Sequence, residues 1–321
     1  MTKNELKIVF LGTPQFAIPS LEMLTKEGYN VAAVVTQPDK ERGRGHGVTS
    51  SPVKLFAEEH GIEVLQYSKI SREGVDDLKR IAPDLLITAA FGQILSQEVL
   101  DVPRLGCINV HGSLLPKYRG AAPIEWSIID GEKITGITTV FTVYKLDAGD
   151  ILESDELEIG EEETGGELRE RMSSLGAKTL KRTLEKLLAG ALEPRPQDEG
   201  KATFCTMFKH GFGLIDPSKP GRKTVDFIRG LNPAPCAYFM VGDDRVKVLR
   251  AEFEEGSFNG VPGDVICADD KKGLKIRIAD GALSITELQF PGSKKMPARD
   301  FLRGKGKNVN WASIDFGDHK E

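Results

Sequence analysis

The sequence predicts an α/β domain, built on an open and mostly parallel sheet with helices on both faces, followed by a small β-barrel domain. Three observations lead there. Short apolar runs alternate with amphipathic ones through the first 150 residues. A segment rich in Pro and charge, "ALEPRPQDEGKATF" (191–204), then interrupts the pattern. Beyond it, short β-type runs recur with turn signals between them. Strands alternating with helices pack as a parallel sheet between helical layers. Closely spaced strands with tight turns suit a curled antiparallel sheet.

In chain order, "KIVFLG" (7–12), "VAAVVT" (31–36), "IEVLQ" (62–66), "DLLITAA" (84–90) and "CINVHG" (107–112) read as buried strands. Helical spacing at 15–27, 53–60 and 73–81 separates them. "ITTVFTVYKL" (137–146) and "DILESDELEI" (150–159) are further strands, the second with charges on alternate positions. Residues 164–190 form a long helix. Thr164 is placed to cap its start, with Glu167 three residues on in capping-box spacing, and Gly190 to end it. The first domain therefore spans 1–190 and is Rossmann-like, and 191–205 is a linker. The second domain, 206–321, is β-rich and OB-like. It opens with a helix at 222–231, a hairpin turning at 242–245, and strands at 263–268, 273–279 and 282–290.

Composition is that of an ordinary globular protein, 40% hydrophobic and 28% charged. The four cysteines are far apart and the five histidines scattered, so no zinc-type spacing is visible and reduced thiols are expected. The start, "MTKNELKIVFLG", lacks the apolar stretch of a secretory leader, and no run approaches the ~18 apolar residues of a membrane helix. A soluble, cytoplasmic monomer with no membrane partner is the expectation. The net charge of −5 is uneven: residues 201–321 hold 20 Lys and Arg against 16 Asp and Glu, the rest 23 against 32. A basic second part on an acidic first part hints at a polyanionic partner, weakly.

Four stretches bear on chemistry. "FLGTPQFA" (10–17) resembles the start of a nucleotide-binding unit, but Pro14 stands where a phosphate would need a backbone N–H, which argues against a dinucleotide site. "GRGHG" (43–47) lies among Lys40, Arg42 and Arg44. It reads equally as a flexible basic loop or as one that grips a phosphate backbone. In "INVHGSLLP" (108–116), Asn109 and His111 share one face at the carboxyl end of a strand, where open α/β sheets bind ligands. An amide N–H and an imidazole side by side can hold an oxygen that gains negative charge. A polar strand end with no catalytic part fits the same residues. Asp147 in "KLDAGD" (145–150) stands after an apolar run; it either orients His111 or only begins an Asx-turn.

"INVHGSLLPKYRGAAPI" (108–124) together with "LDAGD" (146–150) resembles the 10-formyltetrahydrofolate-dependent formyltransferases. "FLGTPQFA", "VVTQPDKERGRGHGVTSSPVK" (34–54), "AAFGQIL" (89–95) and "GKGKNVNWA" extend the likeness along nearly the whole chain. The resemblance implies that Asn109 and His111 hold the formyl oxygen, and that Asp147 orients His111 and, through water, helps the proton leave the attacking amine. It implies that Phe91, Gln93, Ile94 and Leu95 form the loop around the pterin, and that Ser113, Leu114, Leu115 and Pro116 shape the folate site. The co-substrate is then 10-formyltetrahydrofolate, and no metal is required. Within the family, the basic loop 36–52 and the β-rich second domain imply that the amine is the α-amino group of methionine on the initiator tRNA. Lys40, Arg42 and Arg44 are the loop's contacts, and Lys294, Lys295, Arg299, Arg303, Lys305 and Lys307 the second domain's basic positions. One departure is "TVYKLDAG" (142–149), where relatives often read M-D-x-G before L-D-T-G. It puts the methionine pocket, more than the triad, in question.

Overall fold

The computed structural model describes residues 1–42 and 47–317, and the side chains of these outside 40–48. The chain divides into two compact units, one of residues 1–123, 134–158 and 169–205, the other of 124–133, 159–168 and 206–321.

The first unit contains β1 (Lys7–Gly12), β2 (Asn30–Thr36), β3 (Lys40–Arg42), β4 (Gly47–Thr49), β5 (Glu63–Gln66), β6 (Leu85–Ala89), β7 (Cys107–His111), β8 (Arg119–Gly120), β9 (Ile134–Phe141), β10 (Ile151–Glu158) and β11 (Phe204–Cys205). Seven of them form one sheet in the order β10-β9-β7-β6-β1-β2-β5. The five from β7 to β5 are mutually parallel, while β9 runs against β7 and β10 against β9. The chain steps outward from β1 to β2 and β5, then returns to the other flank of β1 for β6 and β7. This is the topological switch beside which such sheets bind ligands.

Helices cover both faces, because the buried strands are apolar on both. α1 (Ile18–Lys26) and α2 (Pro52–Glu59) lie between β1 and β5 in sequence. The periodic run expected at 73–81 is two short helices, α3 (Ile70–Glu73) and α4 (Val75–Ile81), separated at Gly74. A side chain at Gly74 would sit 2.8 Å from Ile70 and 2.9 Å from Tyr67, so the chain closes tightly there. With α5 (Gln97–Leu100), these helices pack Ile70, Leu78, Ile81 and Val99 against Val9, Leu86 and Cys107 of the sheet. The long helix α7 (Gly165–Ala189) follows α6 (Pro123–Ile129), and Gly176 lets α7 approach Val110. The alternation within β7 thus turns Val110 toward α7 and Asn109 and His111 away from it. Thr164 and Glu167 close the expected capping box, 2.8 Å and 3.3 Å in the two directions, and Gly190 ends the helix at φ +69°.

Two further segments differ in detail from expectation. The strand expected over 137–146 ends at Phe141, and 142–150 is a loop that leaves Val143, Tyr144 and Leu146 exposed. Its ends pinch together where Phe141 N donates to Asp150 O at 3.0 Å, so the apolar alternation of "TVYKL" continues past the point where the sheet has stopped. The segment 191–205, expected as a linker, is fastened to the first unit. Arg195 and Ile151 exchange two backbone hydrogen bonds, and β11 pairs in parallel with β8.

The second unit contains α8 (Gly221–Gly230), β12 (Ala237–Val241), β13 (Asp244–Glu255), β14 (Val265–Asp269), β15 (Gly273–Ile278), β16 (Gly281–Gln289), β17 (Met296–Pro297), α9 (Ala298–Arg303) and β18 (Ile314–Asp315). Its antiparallel sheet, in the order β14-β15-β16-β13-β12-β18, curls as a half-barrel around Phe239, Val246, Val248, Leu274, Ile276 and Leu283. Register shifts at Val248/Arg250 and Arg250/Ala251 let the long β13 bend. The hairpin expected at 242–245 turns at Gly242, φ +58°, as a tight β12–β13 connection requires. Among the described residues, no helix is long and apolar enough to cross a membrane.

Candidate active site

β7 ends with Asn109 half-buried and His111 5% exposed, two residues apart on one face. The amide of Asn109 is oriented from the neighbouring strand: Thr88, its register partner in β6, donates from Oγ1 to Asn109 Oδ1 at 2.9 Å. That leaves Nδ2 facing Asp147 Oδ1 at 3.4 Å. His111 Nε2 lies 2.9 Å from the carbonyl of Tyr118. A carbonyl only accepts, so Nε2 carries a proton and Nδ1 is the nitrogen left for chemistry. Nδ1 is 3.8 Å from Asp147 Oδ2, and that oxygen also accepts from Gly120 N at 2.8 Å.

Asp147 arrives by an indirect route. Because β9 opposes β7, Phe141 pairs with Ile108 near the start of β7, and the loop 142–150 then folds across the face that carries Asn109 and His111. Asp147 sits at φ +47°. It is one of six non-glycine residues at positive φ among those described; Ala90 and Tyr118 lie in the loops that follow β6 and β7, and Ala122 between β8 and α6. Each such residue costs about 1–3 kcal/mol and persists only where its surroundings impose it, a pattern associated with functional loops.

The remaining expected residues divide by environment. The loops 90–96 and 112–118 leave adjacent parallel strands, β6 and β7, at their carboxyl ends. Phe91 and Leu95 are buried in the core, as are Ser113 and Leu115, while Ile94 is 79% exposed. Leu114 and Pro116 are half-buried. Gln93 spends its side chain on the fold, accepting from Ile70 N at 2.8 Å and donating to Tyr67 O at 2.7 Å. Lys40 and Arg42 lie on β3, which pairs antiparallel with β4; Arg44 lies outside the described residues.

Sequence reasoning passed over the residues that hold the site in place. Thr88 carries no signal beyond its place in β6. Arg119 is fully buried and donates to Gln197 at 2.7 Å and 3.1 Å and to Glu199 at 2.8 Å and 3.3 Å. Lys145 reaches Glu199 at 2.6 Å, and the hydrogen bond from Arg119, with that from Lys145, holds the Glu199 carboxyl down at about 2. The polar run "RPQDEG" was the available hint, since the composition that marks a linker also suits a network.

The family model described as formyl transferase matches residues 6–184, and that described as formyl transferase, C-terminal domain, matches residues 208–306. A methionyl-tRNA formyltransferase of Ruminiclostridium cellulolyticum is 51% identical over 302 residues, which is 93% of this chain and 96% of the relative. Among solved structures, HypX from Aquifex aeolicus in complex with tetrahydrofolic acid superposes with a TM-score of 0.65 at 20% identity. The match covers 94% of this chain and 48% of HypX, so this chain spans about half of that protein. WlaRD, a sugar 3N-formyl transferase solved in the presence of dTDP and 5-N-formyl-THF, gives a TM-score of 0.65 at 17% identity, over 90% of this chain and 99% of that one.

Proposed function

The chain belongs to the formyl transferase family, and we propose that it is the enzyme that transfers the formyl group of 10-formyltetrahydrofolate to the α-amine of methionine on the initiator tRNA. The observation that carries this reading is the convergence of Asn109 Nδ2, His111 Nδ1 and the Asp147 carboxylate on one face of β7. The donor set suits an acyl oxygen that gains negative charge as an amine adds to its carbon. Formyltetrahydrofolate supplies that carbon already activated.

Each residue then has a task. Asn109 offers an amide N–H whose direction Thr88 sets. His111, held through Nε2, presents Nδ1, which donates when the ring is protonated and accepts when it is not. Asp147 orients His111 and is the base toward which the attacking amine loses its proton. The loops 90–96 and 112–118 flank the slot for the flat pterin, with Phe91 and Leu95 setting its floor from the core and the exposed Ile94 at its rim. The β3–β4 hairpin and the exposed Lys294, Lys295, Arg299, Arg303, Lys305 and Lys307 are the surfaces for the tRNA phosphates. Formylation removes the amine's charge and marks the initiator for translation in the cytoplasm.

The purified protein, given 10-formyltetrahydrofolate and methionyl-tRNA, is expected to yield N-formylmethionyl-tRNA, with tRNA affinity falling steeply as salt rises. No product, with formylation of an amino-sugar nucleotide instead, would overturn the choice of amine. Absence of formyl transfer to either acceptor would leave an RNA-binding protein on this fold.

A further inference from the structure

The segment 195–205 grips both main-chain loops between which the His111–Asp147 pair is set. On one side, Gln197 Nε2 donates to the carbonyls of Asp147 and Gly149, each at 2.7 Å. On the other, Thr203 Oγ1 accepts from Tyr118 N at 2.8 Å, and Tyr118 O is the partner of His111 Nε2. β11 pairs with β8, whose Gly120 donates to Asp147. The amide of Gln197 has no spare capacity. Its nitrogen serves two carbonyls and its oxygen accepts twice from Arg119, which Glu199 holds in turn. The orientation of the amide is chemically unambiguous, because guanidinium only donates and carbonyl only accepts. The loop it holds is tight. Asp147 is at φ +47°, and a side chain at Gly149 would fall 1.8 Å from Phe141 O.

We propose that Gln197 is a positioning residue for formyl transfer: it holds the carboxylate of Asp147 against Asn109 and His111 by fixing the carbonyls on both sides of the Ala148 turn. The proposal rests on Asp147 taking part in the reaction. Loss of the two donated bonds lets the loop shift, and a displacement of about 1 Å at a reacting group can cost about 10²-fold.

Gln197→Glu separates this role from simple packing. A carboxylate keeps, and strengthens, acceptance from Arg119, but turns an oxygen toward the two carbonyls that had received N–H groups. The expected result is a fall in kcat per folded molecule of about 10²-fold with KM for folate and for tRNA unchanged within about twofold; the urea midpoint falls as well, because two hydrogen bonds are lost. In an Asp147→Ala background the same change should cost nothing further in kcat. Gln197→Met, which keeps bulk and loses every polar bond, should reproduce the loss if the Glu variant does not fold. Wild-type kcat in a folded Q197E or Q197M overturns the proposal, as does an equal loss with and without Asp147. Wild-type kcat in D147A alone would overturn instead the role given to Asp147.

Discussion

Thr88→Val tests how the amide of Asn109 is aimed. The two side chains are nearly isosteric, and Thr88 is 7% exposed, so the valine fits where the threonine stood. What disappears is the hydroxyl that donates to Asn109 Oδ1 at 2.9 Å. The other restraint on the amide is the longer 3.4 Å contact of Nδ2 with Asp147, which still opposes a flip because it would bring two oxygens together. A neutral buried hydrogen bond is worth about 1 kcal/mol net, a factor of about five in the ratio of the two amide orientations. The kcat for formyl transfer should therefore fall by no more than about fivefold, with KM for folate and tRNA unchanged and stability lower by about 1 kcal/mol. Single-turnover transfer at saturating substrates measures the first and urea denaturation the last. In an Asn109→Ala background, Thr88→Val should leave kcat where Asn109→Ala alone puts it. A further fivefold loss there would refute the reasoning, since it would mean Thr88 acts by a route that does not pass through the amide.

Asn109→Ala and His111→Ala should each lower kcat about 10²-fold or more, the scale of a lost oxyanion donor, while equilibrium binding of folate persists; wild-type turnover in either removes that residue from the mechanism. Thr164→Ala removes the hydroxyl side of the capping box and should lower stability by about 1 kcal/mol, read from the urea midpoint with activity per folded molecule unchanged. Glu199 has its folded carboxyl held at about 2 against 4.5 unperturbed, so the folded state favours the ionised form. Its stabilising contribution is complete above about pH 4.5 and fades as pH falls toward 2. The stability gap between wild type and Glu199→Gln should be present at pH 6, shrink below pH 4.5, vanish near pH 2, and narrow with added salt, because the group is exposed. A gap constant across that range would show that Arg119 and Lys145 do not act on Glu199 through charge.

Local signals carried much of this molecule. Four of the five apolar runs from Lys7 to His111 lie inside the sheet, where a strand covered on both faces buries such a run, while "IEVLQ" forms the half-buried edge strand β5. Thr164 and Glu167 announce a helix start because a capping box needs only residues three apart. Asn109 and His111 share a face because strand side chains alternate. The same periodicity misled at "TVYKL", which alternates like a strand but leaves the sheet after Thr142, whose N donates to Cys107 O at 2.7 Å. It was silent at "RPQDEG", where polar residues read as a linker until their partners were known.

The sequence by itself determined the main strands and the long helix, the direction in which β7 presents its polar pair, and the family to which that pair belongs, since each depends on spacings of a few residues. Only the tertiary structure decided that Asp147 reaches His111 by a loop folded back from an opposing strand. It alone decided that Gln197, 50 residues from Asp147 and 78 from Arg119, joins the two. Strand order and loop path set such encounters, and they are properties of how the sheet closes its core rather than of any stretch of chain short enough to show a pattern.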